Sequence, residues 1–240
     1  MNPYAESFLE LIYPEKNICC ICDTYDETIG ENYICINCEQ SIKKIVPPFC
    51  VKCGKPINYS LSVDLCPDCL ILDKCFESAR APFSYEGLIK KSIYNFKYYN
   101  KPYYYRFFGN SLIKYMNSID YNNFDFILSV PLHSKKMKSR GYNQSELIGR
   151  YISNKLNMPY IDALIRVKNT SKQSSQSKEE RNKNLKNAFD TKSTKNISII
   201  KNSRVLLVDD VYTTGATANE CSKVLLNYGV GKVYVITIAR

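Results

Sequence analysis

Two adjacent carboxylates, Asp209 and Asp210, stand where the short apolar run Val205-Leu206-Leu207-Val208 ends, just ahead of Thr213-Thr214-Gly215-Ala216-Thr217. A nearly unbroken run of β-branched and aliphatic residues predicts a strand buried on both faces of a parallel sheet. The small, hydroxylic stretch then leads into a helical pattern that runs to about Tyr228. Gly215 lets the backbone approach a ligand closely. The free N–H groups and positive dipole end of the following helix make an anion site. Acids beside an anion site suggest a ligand that carries both hydroxyls and a phosphate.

A second set of reactive side chains lies upstream. Eight of the eleven cysteines form four Cys-x-x-Cys pairs: Cys19/Cys22, Cys35/Cys38, Cys50/Cys53 and Cys66/Cys69. The step from each cysteine of the first two pairs to its counterpart in the last two is 31 residues, so the region is an internal duplication. Two thiolates three residues apart can face one metal from a tight turn, and two such turns complete a tetrahedron. Gly54, just after Cys53, suits such a turn. The spacing predicts two structural Zn²⁺ sites and leaves consecutive and crossed pairing equally open. All four positions of each metal would be held by protein, which leaves no place for a substrate or water. A disulfide framework is the rival reading, disfavoured in a reducing compartment. Cys20, Cys75 and Cys221 fall outside the repeat and read as ordinary thiols.

The elements that must position the acids follow from periodicity. Phe124–Val130 reads as another buried strand, running into Pro131-Leu132-His133 and a basic turn, Ser134 to Tyr142, that contains Lys136 and Arg140. A cationic loop at the C-terminal end of a strand is where an open α/β sheet binds anions. His133 is the sole histidine, and a base and a turn-orienting role are both open to it. Asn143 is placed to cap a helix over Gln144–Leu156, with Leu147, Ile148, Tyr151, Ile152 and Leu156 forming one stripe. Helical spacing also marks residues 87–99 (Ile89, Ile93, Phe96) and a stretch after Pro102 with Phe107, Phe108, Leu112 and Ile113. Tyrosines 98, 99, 103, 104 and 105, interleaved with Lys97, Lys101 and Arg106, read either as core and rim or as a surface that stacks on bases. Residues 168–187 have little apolar content and no period. Lys232–Ala239 reads as a strand completing the sheet.

The net charge of +10 hides an asymmetry. Residues 1–80 hold 7 Lys/Arg against 12 Asp/Glu, a net of −5, whereas residues 81–240 hold 26 against 11, a net of +15. The split argues for two units, 1–78 and 79–240, with different jobs. The basic unit suits phosphate-rich partners, including single-stranded DNA, and the acidic ribbon suits protein docking better than phosphate contact. No run approaches the ~20 apolar residues of a membrane span. Phe8, Leu9, Leu11 and Ile12 suggest a short docking helix rather than a signal peptide, so a cytoplasmic location is expected.

The strand, paired acids, Thr-Thr-Gly loop and helix together resemble the binding loop of type I phosphoribosyltransferases, which hold 5-phosphoribosyl 1-pyrophosphate. The resemblance implies a Rossmann-like parallel sheet flanked by helices. It also implies that Asp209 and Asp210 take the ribose hydroxyls, that Thr213, Thr214, Gly215, Ala216 and Thr217 wrap the 5′-phosphate, and that Mg²⁺ bridges ribose and pyrophosphate. Pro131, Leu132, His133, Lys136 and Arg140 would then lie on the pyrophosphate side. Residues 168–187 would form the lid, with Lys168, Lys172 and Lys178 as candidates for a catalytic lysine of the orotate type. Combined with the four upstream cysteine pairs, VPLHSKKMKSRGYNQSELIG and the Lys172-Gln173 … Arg181-Asn182-Lys183-Asn184 … Ala188-Phe189 segment, the chain is similar to the ComF family of competence proteins. That family joins a zinc ribbon to a phosphoribosyltransferase domain. Lys136 departs from it, standing where an arginine is expected and losing bidentate phosphate geometry.

Three functions are compatible with this reading. One is a competence protein of DNA uptake and natural transformation that binds phosphoribosyl pyrophosphate with Mg²⁺ and handles single-stranded DNA, its ribbon docking proteins of the competence machinery. Another is an active phosphoribosyltransferase, a glycosyltransferase of nucleotide salvage with an unidentified acceptor base. The third is a zinc-ribbon interaction protein with a vestigial site.

Overall fold

The computed structural model describes residues 17–57, 64–168 and 185–240. The expected N-terminal helix lies outside them, as do Lys172, Lys178 and most of the lid segment. The acids sit on β5 (Arg204–Val211), an inner strand of a four-stranded sheet. Its neighbours are β2 (Phe126–Ser129) and β6 (Lys232–Ala239), and β1 (Ser78–Arg80) pairs with β6 at the edge. All pairings in this sheet are parallel, with Val208 opposite Ser129 and Asp209 opposite Thr237.

Val205, Leu206, Leu207 and Val208 are fully buried because both faces of the sheet are covered. Leu206 and Val208 face one hydrophobic cluster, which holds the helices Gly87–Tyr98, Tyr104–Ser118 and Gln144–Leu156. Val205 and Leu207 face a second cluster with the helix Ala216–Asn227 and a small antiparallel hairpin, β3 (Leu164–Arg166) and β4 (Phe189–Thr191). Asn143 caps its helix as its type predicts, its side chain accepting from the Ser145 N–H at 3.2 Å.

Ser134–Arg140 is a helix rather than the expected turn. Its ends explain it. The Nδ1 of His133 accepts from the Lys135 N–H at 3.2 Å, and Gly141, at φ 78°, closes the other end with its N–H on the Met137 carbonyl. Lys138 and Arg140 in its last turn suit the negative end of the dipole.

The cysteines assemble consecutively: Cys19, Cys22, Cys35 and Cys38 in one group, Cys50, Cys53, Cys66 and Cys69 in the other, the sulfurs of each within 4.8 Å of one another. Gly54 is needed twice over. Its φ is +69°, and a Cβ would meet the Ala79 carbonyl oxygen at 2.7 Å.

Candidate functional site

At the C-terminal end of β5 the two acids differ in surroundings. Asp210 forms an ion pair with Lys97 at 2.7 Å, both side chains largely buried. Asp209 accepts from its neighbour's backbone N–H at 2.8 Å and from the Ser145 hydroxyl at 3.1 Å. Burial pushes the Asp209 carboxyl up to about 7, with the Asp210 charge adding to the shift. Those two hydrogen bonds and the Lys97 cation oppose it. A buried acid held against its own ionisation gains from a cation or a hydroxyl donor, so this donor set fits a hydrated divalent ion and a diol.

These acids share a cleft of about 150 Å³ with Thr213 and Thr217 of the loop and with Pro131, Leu132, Lys136 and Arg140. Arg140 is held in place by the Gln144 side chain at 3.0 Å and the Tyr98 hydroxyl at 3.2 Å. A smaller hollow beside the cleft is lined by Thr213, Gly215, Ala216 and Thr217 at the start of the Ala216–Asn227 helix. Gly215 caps that helix with φ 78°, and a Cβ there would come within 2.1 Å of the Tyr212 hydroxyl oxygen, so no larger residue fits. Thr214 faces elsewhere. Its hydroxyl accepts from the Ala216 N–H at 3.3 Å, and its carbonyl accepts from the buried Lys74 ammonium at 3.2 Å. His133 spends its Nδ1 on the helix cap described above. Lys168 is exposed, its ammonium on the Lys186 carbonyl at 2.9 Å.

The cleft also contains Tyr85, Lys97, Ser145 and Arg166, which the sequence did not assign to it. Lys97 carried a signal. It continues the stripe of Ile89 and Ile93 at four-residue steps, and a lysine on a core-facing position needs a buried partner. Ser145 and Arg166 carried none.

The cysteine groups fit zinc. The Cys22 and Cys35 sulfurs lie 3.7 Å apart and those of Cys53 and Cys66 3.6 Å. A Zn–S bond of about 2.3 Å gives a tetrahedral edge of roughly 3.8 Å, whereas a disulfide needs about 2.05 Å. Cys20 and Cys221 are buried and belong to neither four-sulfur group.

Comparison with known proteins adds three findings. A double zinc ribbon domain model matches residues 8–70, and a phosphoribosyl transferase domain model matches residues 144–240. The chain is 32% identical over 217 residues to Competence protein F of Haemophilus influenzae, covering 88% of this chain and 92% of the relative. It is 25% identical over 230 residues to Competence protein ComFC of Bacillus subtilis, covering 89% of this chain and 90% of that one. A shorter match, 35% identical over 117 residues and spanning about half of each chain (48% and 49%), is to DNA utilization protein YhgH of Escherichia coli O157:H7. Among the described residues no helix is long and apolar enough to cross a membrane.

Proposed function

This chain belongs to the ComF family of competence proteins, and from that premise we propose that it serves DNA uptake by binding phosphoribosyl pyrophosphate with Mg²⁺ and handling single-stranded DNA. Its fold is a phosphoribosyltransferase-type α/β sheet preceded by a double zinc ribbon. One observation carries the ligand reading: the paired acids of β5, Thr213 and Thr217 of the loop and the cations Lys136 and Arg140 line a single cleft.

In this reading Asp209 and Asp210 accept hydrogen bonds from the ribose hydroxyls, and the loop's N–H groups with the Thr213 and Thr217 hydroxyls hold the 5′-phosphate. Lys136 and Arg140 face the pyrophosphate. Mg²⁺ supplies charge neutralisation of the pyrophosphate when bound. Lys97 pairs with Asp210 and orients it toward the cleft. The single histidine lies outside the cleft lining and serves the helix end through its Nδ1. A cytoplasmic location suits eight thiols kept reduced for metal.

Calorimetric titration of the protein with Mg²⁺ and phosphoribosyl pyrophosphate tests the reading, set against Asp209→Asn with Asp210→Asn. Binding by the wild type and its loss in the folded variant are expected; equal affinity in both would remove the acids from the site. Displacement at ribose C1 is the reaction such a cleft could carry, and the intact arrangement of acids and cations favours testing it. Pyrophosphate release on adding a purine or pyrimidine base would establish a glycosyl transfer. No release across the set would leave a binding protein.

A further inference from the structure

The tyrosine-rich stretch splits in two. Tyr104 and Tyr105 are core, 1% and 3% exposed, whereas Tyr94, Tyr98 and Tyr99 are 52%, 52% and 63% exposed. The exposed three cluster, with the Tyr94 ring 4.8 Å from Tyr98 and 5.9 Å from Tyr99. Grouped exposed aromatic rings mark a surface that meets something.

The charges around them indicate what. Lys90 and Lys91 are exposed one turn before Tyr94 on the same helix, and Lys135 and Lys138 are exposed on the Ser134–Arg140 helix. The two helices meet where the Arg140 guanidinium lies 4.9 Å over the Tyr98 ring and donates to its hydroxyl. No Asp or Glu occurs in residues 87–119 or 126–145. Rings that present faces among cations, without interspersed acids, match a ligand of alternating flat π-surfaces and phosphates. A duplex keeps its bases stacked on one another, so only an unpaired strand can offer them to these rings.

We propose that Tyr94, Tyr98 and Tyr99 form a stacking platform for the bases of single-stranded DNA, with Lys90, Lys91 and the basic helix tracking its phosphates. The proposal rests on the DNA-handling reading above and gives it a location. Because Arg140 lines the ligand cleft and also covers Tyr98, the platform abuts that cleft.

The test is fluorescence anisotropy with a labelled oligo-dT of about 20 nucleotides, a length that covers one or two stacking sites. Proteins compared are the wild type, Tyr94→Ala/Tyr98→Ala/Tyr99→Ala, the same three positions changed to Phe, and Lys90→Gln/Lys91→Gln. The alanine protein should lose about tenfold or more in affinity, and the phenylalanine protein should stay within about threefold of the wild type because the π-faces remain. The glutamine protein should show a shallower salt slope, by about 0.7 for each phosphate it no longer neutralises. Unchanged affinity in the alanine protein, with the wild type binding, overturns the platform and leaves this face to a protein partner. No binding by the wild type overturns the DNA reading itself. Melting curves and zinc content measured on each protein separate either result from misfolding.

Discussion

The two cysteine groups are copies in spacing and differ in what they are built against. The first, Cys19 to Cys38, belongs to the cluster under the helices Gly87–Tyr98 and Tyr104–Ser118, and it touches the second of these through the Asn110 side chain on the Glu31 carbonyl at 2.6 Å. The second, Cys50 to Cys69, belongs to the opposite cluster and is tied to the sheet edge. The Ala79 N–H reaches the Lys52 carbonyl at 2.8 Å, Arg80 reaches the Val51 carbonyl at 2.9 Å, and Arg240 contacts the Cys53 carbonyl. The chain leaving the second copy then runs beneath the ligand loop. There Lys74 holds the Thr214 carbonyl, and the Cys75 N–H donates to the Asn219 side chain at 2.7 Å. Duplication supplied two identical metal knots, and packing gave them different loads: one braces helices, the other braces the loop.

The largest effect expected is from breaking one knot at a time. Cys50→Ser with Cys66→Ser should halve the zinc content, lower the melting temperature sharply and weaken ligand affinity in the folded fraction by about tenfold or more, because structural zinc binding is folding free energy. Cys19→Ser with Cys35→Ser should cost comparable stability yet leave ligand affinity within about threefold. Melting curves, zinc analysis and calorimetry read all three quantities, and equal affinity losses in the two variants would erase the distinction. Since both knots share clusters with the sheet, chelation should lower the stability of the whole fold, not of residues 19–69 alone.

Lys74→Met sharpens the comparison at one bond. Removing a charged hydrogen bond such as this part-buried one costs about 1.5–3 kcal/mol. Ligand affinity should therefore fall by about tenfold or more while zinc content stays at the wild-type value. A variant with full affinity would mean that the second knot supports the loop by some other route.

A smaller effect is expected from Asp209→Asn on the ligand-free protein, and it depends on pH. The folded carboxyl titrates near 7, above its ordinary value of 3.8, so folding is disfavoured increasingly as pH rises from about 4 to 7 and fully above that. The amide removes the penalty. It should raise the melting temperature by on the order of 5 °C at pH 8 and leave it unchanged near pH 3.5. A gain independent of pH would assign the effect to something other than ionisation.

Much of this arrangement was legible in the sequence. The run at 205–208 and the pattern at 232–239 gave their strands because burial on both faces leaves a simple apolar signature. Asn143 announced its helix because its side chain has a local partner to satisfy. The cysteine pairing was not legible, since consecutive and crossed groupings share one spacing and only the three-dimensional path separates them. Ser134–Arg140 hid its helix because none of its residues is buried, so no apolar stripe existed to read. Three-residue strands such as β3 are too short to show a period, which concealed Arg166. Lys97 reads as surface beside its basic and aromatic neighbours, although its place on the Ile89–Ile93 stripe points inward.

The strand order β1-β6-β5-β2 bears on how the protein is made. β1 has β6 as its sheet neighbour, so Ser78 waits for Tyr234 before either side of that edge can close. On a ribosome the cysteine knots emerge early and can take up metal from local sequence alone. β2 can pair with β5 once residue 211 is out, but β1 stays open until residues 232–239 appear. Contacts this distant in sequence close slowly. The early knots thus give the waiting chain finished parts ahead of its sheet, each holding one side of a sheet whose β1 edge closes last.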